Sequence, residues 1–224
     1  MTKNLIQIAG IKDQQEAELM LNCGVDRLGF PLRIASRQED LSENEAARMI
    51  QALQLQDKAV LITYVNDAQS LATFSRRLDI SIVQLHGNIS LPELRQIKSE
   101  APRLYVIKSL IVRGDNLASL TSDMTTFAPY IDEFIVDTFD PSTGACGATG
   151  KTHDWDMSRA LVEMSPRPVI LAGGLTARNV RRAIERVRPR GVDAHTGVED
   201  SSGRKRRSLL EAFVSRAREG FAAI

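Results

Sequence analysis

The chain has few of the features that announce a function. Only two of its 224 residues are cysteine, Cys23 and Cys146, which excludes a disulfide framework and a four-thiolate zinc site. Aromatic residues make up 5 %, so the core must be aliphatic. Neither sign of charge is in excess. The 29 Lys and Arg residues face 28 Asp and Glu, for a net charge of +1, which argues against a nucleic-acid partner held by a general positive field. No apolar run approaches the ~18 residues of a membrane span, so no membrane partner is expected. The start, MTKNLIQIAGIKD, returns to charge after about seven apolar-leaning positions, too short a core for a secretory signal. A cytoplasmic protein is the expectation. No Pro-, Gly- or Ser-rich linker and no low-complexity tract interrupts the chain, so residues 1–224 are expected to form one domain. The densest charge cluster, Arg204-Lys205-Arg206-Arg207, reads as the solvated start of a last helix.

What is present is a rhythm. Eight strand-length runs rich in aliphatic residues occur at 4–9, 25–30, 58–65, 80–85, 103–110, 131–137, 167–172 and 191–194. Several are continuously apolar, as strands buried on both faces of a parallel sheet require. Helical patterns lie between them. Ala17, Met20 and Leu21 share one face of 14–23. Ser42 with Glu45 forms a capping box, Asp67 and Ser90 are N-cap candidates, Pro92 falls in a first turn, and Asp154 and Thr176 head two further segments. A last segment, 205–219, carries Leu209, Leu210, Phe213 and Val214 on one face. Strand then helix, eight times over, is an α/β pattern. An open doubly wound sheet usually has fewer strands, so a single (β/α)8 TIM barrel is predicted.

In such a barrel the chemistry sits in the loops after the strands. Gly173-Gly174 follows the seventh run and His195-Thr196-Gly197 the eighth. Glycines there let backbone N–H groups approach an anion, and this pair of loops often builds a phosphate site. Asp137 closes the sixth run, ahead of a glycine-rich stretch that reads as a lid. His86, in QLHG, closes the fourth. The fragment GATGKT is not a nucleotide P-loop, because the required glycine would fall at position 145, an alanine.

Together these segments resemble the phosphoribosylanthranilate isomerase family of tryptophan biosynthesis, over essentially the whole chain. VQLHG at 83–87, GATGKTHDW at 147–155, PVILAGGL at 168–175 and GVDAHTGVE at 191–199 carry the likeness. It implies a (β/α)8 barrel that binds a phosphorylated small molecule and performs an Amadori rearrangement, an N-ribosyl aldose amine becoming a 1-amino-ketose, without metal or cofactor. A general acid opens the furanose ring and a general base removes the C2 proton. The acid position of the family is matched by Asp137. The base is a cysteine in a Lys-Ile-Cys-Gly-Ile motif, matched here by Gln7-Ile8-Ala9-Gly10-Ile11, so Ala9 stands where the base belongs. Losing a positioned base typically costs ~10²–10⁴-fold in rate.

Arg37 matches the arginine that holds the aromatic carboxylate, and Gly173, Gly174, Thr196 and Gly197 match the phosphate loops. The family has two serines before that last glycine, and here the first is His195. His86 and Asp193 complete the expected substrate contacts. Strand eight pairs with strand one in a closed barrel, and Asp193 and His195 share one face. His195 is therefore expected near Ala9, as a replacement base, as a substrate contact, or as a donor to phosphate alone. Cys146 is the other candidate thiol. The expectation is a divergent paralogue using Asp137 and His195 on a phosphorylated ribose derivative. The alternative is a non-catalytic phosphosugar-binding or regulatory barrel.

Overall fold

In the computed structural model, which describes residues 4–34, 40–138 and 154–224, the eight runs form eight parallel strands. They are β1 (Leu5–Ala9), β2 (Arg27–Pro31), β3 (Ala59–Thr63), β4 (Ile82–Leu85), β5 (Tyr105–Val112), β6 (Glu133–Thr138), β7 (Val169–Leu171) and β8 (Gly191–Ala194). Each strand pairs with the next, and β8 closes on β1 through Gln7↔Asp193 and Ile8↔Ala194. The predicted (β/α)8 barrel is what the chain forms. Alternate residues fill the lumen: Leu5, Val60, Ile82, Ile107, Ile135 and Ile170 belong to one buried cluster, with Ala9 and Ala172 nearer the strand ends. The other face of each strand packs under the helices in a second and larger cluster.

The helices are α1 (Gln14–Asn22), α2 (Glu43–Ala52), α3 (Ala68–Leu78), α4 (Leu91–Glu100), α5 (Leu117–Phe127), α6 (Trp155–Met164), α7 (Val180–Val187) and α8 (Arg207–Ala222). The caps read from sequence are present. Ser42 and Glu45 make the reciprocal box at the head of α2, and Asp67 and Ser90 accept the third N–H of α3 and α4. Each such cap satisfies a backbone donor the helix cannot, typically worth ~1 kcal/mol.

Two helix starts differ from expectation. Helix α7 begins at Val180, not at Thr176, because the Asn179 side chain accepts the Thr176 N–H (2.8 Å) and donates to the Gly174 carbonyl (3.0 Å), which holds the intervening residues in a turn. Helix α8 begins at Arg207, because residues 199 and 205 pair as an antiparallel bridge first. The run 204–207 is accordingly a solvated helix start only in Arg206 and Arg207, which are exposed. The Lys205 side chain is fully buried, and Arg204 is paired with Asp13 and Glu16.

The end of the barrel opposite the strand C-termini is closed by charge. Glu133, fully buried at the start of β6, takes Arg27 at 2.7 Å on one oxygen and Arg190 at 3.2 Å on the other, with the Tyr105 hydroxyl at 3.4 Å. One carboxylate held by two arginines keeps each buried charge compensated. Among the described residues no helix is long and apolar enough to cross a membrane, and no group of three metal-ligating side chains is present.

Candidate active site

The strand ends place the polar groups. Paired residues Val136, Leu171 and Val192 run across β6, β7 and β8. One residue further along lie Asp137, Ala172 and Asp193. The small side chain of Ala172 separates two carboxylates that project into the same layer, and both are buried. Burial pushes the Asp137 carboxyl above the usual carboxylate range, while the nearby His86 and the Thr138 N–H, which donates to Oδ1 at 2.7 Å, oppose the shift. Burial pushes Asp193 well above that range, and the charge of Asp137 pushes it further. The Gln7 amide and Lys205 pull the other way. Two negative charges in one desolvated layer disfavour each other, so the pair holds a proton to higher pH than a free carboxylate does. The unmatched acceptors agree. Asp193 Oδ1 and Gln7 Oε1 are both buried without a hydrogen-bond partner, and a proton kept on Asp193 turns one acceptor into a donor. Gln7 itself crosses the lumen to Gln84, its Nε2 donating at 3.0 Å.

Above the carboxylates lie two loops in contact. Gly173 and Gly174 adopt φ +87° and +60°, a region that only glycine enters freely. Gly197 sits in a short 3₁₀ turn, Thr196–Val198, just past β8. A Cβ at 197 would lie 1.9 Å from the Leu175 carbonyl oxygen, so the loop after β8 is seated directly on the loop after β7. Asn179 fastens the second of these from behind. Asp137, Gly173, Gly174, Asp193, His195, Thr196 and Gly197 line one cavity, and seven of the expected site residues therefore meet.

His195 stands at the rim where β8 meets β1. Its ring packs over Gly10, the residue after Ala9. A Cβ on Gly10 would fall 2.1 Å from Nε2. That nitrogen lies 3.4 Å from Glu199 Oε1. Ala9, 4 % exposed, belongs to the lumen cluster with Ile62.

His86 is placed differently from the rest. It lines a neighbouring cavity of about 370 Å³ between the ends of β4 and β5 and the face of α5, with its Nδ1 3.0 Å from Ser109 Oγ and its ring edge-on to Tyr64. Its influence on the main cavity is through charge on Asp137. The same cavity holds Lys108, whose Nζ donates to the Ser109 and Gly87 carbonyls and whose burial lowers its pKa to about 8. A larger hollow of about 800 Å³ between α6 and α7 contains none of the expected residues. Arg37 and Cys146, and with them most of GATGKTHDW and the expected lid, lie outside the described residues.

Four participants escaped the sequence reading. Asn179, Glu199 and Lys205 act through contacts between loops, and Gln7 is visible only as a polar interruption of an apolar strand. That interruption was the one available signal, because a polar residue on the lumen face of a buried strand needs a partner.

Fold and site together define a class: a (β/α)8 barrel that gathers buried acids and a docked pair of glycine loops at the C-terminal ends of β6, β7 and β8. Comparison with known proteins narrows it. The family model described as N-(5'phosphoribosyl)anthranilate (PRA) isomerase matches residues 6–216. N-(5'-phosphoribosyl)anthranilate isomerase 2 of Methanosarcina mazei is 33 % identical over 217 residues, covering 96 % of this chain and 95 % of its own. The crystal structure of phosphoribosyl anthranilate isomerase from Thermotoga maritima superposes with a TM-score of 0.79 at 27 % identity, covering 96 % of this chain and 98 % of that one. A further solved phosphoribosyl anthranilate isomerase holds reduced 1-(o-carboxyphenylamino)-1-deoxyribulose 5-phosphate, with a TM-score of 0.76, 25 % identity and the same coverage. The chain belongs to the phosphoribosylanthranilate isomerase family, whose members are aldose–ketose isomerases.

Proposed function

We propose that the protein is a divergent isomerase of this family that acts on a phosphorylated ribose derivative with Asp137 as general acid and His195 in place of the usual thiol. The observation that carries the reading is the convergence of a buried acid, its pKa raised by desolvation, with the two glycine loops and an imidazole around one cavity. The loops after β7 and β8 offer backbone N–H groups to the phosphate, as the phosphate-bearing ligand of the related structure suggests. Burial favours the protonated form of Asp137, which gives its proton to the ring oxygen as the C1–O bond breaks, leaving an open-chain Schiff base. The base then takes the C2 proton, the electron pair moves toward the nitrogen to give an enolamine, and protonation at C1 with loss of the C2 hydroxyl proton yields the amino-ketose. Asp193, beside Gln7, is suited to the sugar hydroxyls. Arg37 is assigned to the aromatic carboxylate by the family resemblance, and His86 is a substrate contact.

The departure at Ala9 decides what the test must separate. A strain lacking phosphoribosylanthranilate isomerase is grown without tryptophan on wild-type, Ala9→Cys and His195→Ala genes. A paralogue predicts little growth on the wild-type gene and a gain with Ala9→Cys. Robust wild-type growth that survives His195→Ala would remove both the paralogue reading and the role of His195. A second reading, a binding barrel without turnover, is favoured by Ala9 alone. It predicts phosphosugar binding with no growth from any of the three genes.

A further inference from the structure

Strand β5, YVIKSLIV, carries one charged residue in an otherwise apolar run. Lys108 shares a face of the strand with Val106 and Leu110, which pack under the helices, and it is 8 % exposed. A cation buried there calls for a carboxylate, yet among the described residues none makes an ion pair with it. Its Nζ meets two backbone carbonyls, those of Ser109 (2.9 Å) and Gly87 (3.2 Å), and Asp123 on α5 acts on it through charge alone. An ammonium has three N–H groups to place. A neutral amine has two, and a lone pair. Two acceptors match the neutral form and leave the lone pair for a ligand.

The cavity of about 370 Å³ that Lys108 lines is of a size that holds a small molecule. Its wall is mixed: Leu120 and Phe127 are apolar, while Asn88, Ser119 and Asp123 bring an amide, a hydroxyl and a carboxylate. The other charged or titratable groups around the amine are Tyr64 after β3, His86 after β4 and Arg113 after β5. Burial lowers the amine to about 8, against ~10.4 for an unperturbed lysine, so at pH 7 it holds roughly 200-fold more free amine. A desolvated lysine of this kind is a Schiff-base nucleophile.

We propose that this cavity is a second small-molecule site, in which Lys108 forms a reversible imine with a small hydroxylated aldehyde, such as an aldose in its open-chain form. The Nζ lone pair attacks the carbonyl carbon and a carbinolamine forms. Relative to the ammonium, the carbonyl oxygen then leaves as water with two of the three N–H protons. The nitrogen keeps the third as an iminium N–H, which the Ser109 carbonyl accepts. The exchange needs no oxidant or reductant. Asn88, Ser119 and Asp123 are the partners for the hydroxyls. Lys108 does not line the acid cavity, and the proposal is independent of the role given to His195.

The test traps the imine in the full-length protein. D-Glyceraldehyde is added with cyanoborohydride, which reduces an iminium to a stable secondary amine, and the labelled lysines are located by peptide mass mapping. At pH 7 Lys108 should label about ten-fold or more faster than Lys58, although Lys58 is exposed and Lys108 buried. The Lys108 rate should level off above pH 8 as the amine becomes neutral. It should also saturate with glyceraldehyde concentration, because the aldehyde binds before it reacts. Lys108→Met should remove this label and leave that of Lys58 unchanged. Should Lys108→Met not fold, the wild-type rates decide by themselves. A Lys108 that labels no faster than Lys58, or whose rate rises linearly with glyceraldehyde without saturating, overturns the proposal.

Discussion

Substitution of Gly197 by alanine tests the docked loops with a magnitude the structure supplies. The added Cβ would sit 1.9 Å from the Leu175 carbonyl oxygen and 2.9 Å from its carbon. Both are backbone atoms and cannot rotate aside. To reach 3.0 Å, the closest approach real Cβ atoms tolerate, the loops must part by about 1.1 Å. Gly197 does not have a positive φ, so the cost is steric and not conformational. Overpacking of this kind costs ~1–3 kcal/mol, a Tm loss of roughly 2–12 °C for a chain of this size. If the loops separate instead and must be pressed together around phosphate, the same energy appears as a Kd about 5- to 150-fold higher. The measurements are a thermal melt and calorimetric titration with ribose 5-phosphate. Gly10→Ala is the control. The atoms nearest its Cβ belong to the end of the His195 side chain, which can swing away, although φ +78° adds backbone strain. It should leave phosphosugar affinity within a few-fold of wild type. A Gly197→Ala protein that melts and binds as the wild type does would refute the argument that these two loops form one anion site.

Two further outcomes follow from buried charge. Glu133→Ala leaves Arg27 and Arg190 facing each other in the closed end of the barrel, which should cost about 3–5 kcal/mol and lower Tm by more than any loop variant, and an unchanged melt would show that water reaches the arginines. Asp193→Asn removes a carboxyl whose folded pKa lies well above the unfolded value. The native state binds the extra proton, so wild-type stability falls as pH rises from about 4 through the folded pKa, and the variant should be the more stable above that window and equal to wild type below it. Denaturant midpoints from pH 3 to 8 check this, and a difference that does not depend on pH would refute it.

Much of the barrel was legible because its elements are local. Continuous apolar runs such as AVLIT at 59–63 suit only a strand buried on both faces, and caps such as Ser42 with Glu45 are set within four residues. Helix α5 was the hardest to read. Its cap, Asn116, makes no side-chain cap bond, and Thr121 and Thr125 return their hydroxyls to carbonyls one turn back, so propensity and capping both understate it. The start of α7 was misplaced for a related reason, since nothing local shows that Asn179 will reach back to Gly174.

The sequence by itself determined the eight-fold alternation, the glycine loops, the acid at the end of the sixth strand and the absence of a thiol at position 9, because each is a matter of residue type at a position along the chain. Only the tertiary structure decided the upward pKa shifts of Asp137 and Asp193, which depend on desolvation and, for Asp193, on a neighbour two strands away. It alone seated Gly197 on Leu175. It also turned Lys205 from a surface charge into a buried partner of Glu199 beside His195. Closing β8 onto β1 brings together residues that lie nearly the full length of the chain apart, and the energies that matter at this site arise from those contacts.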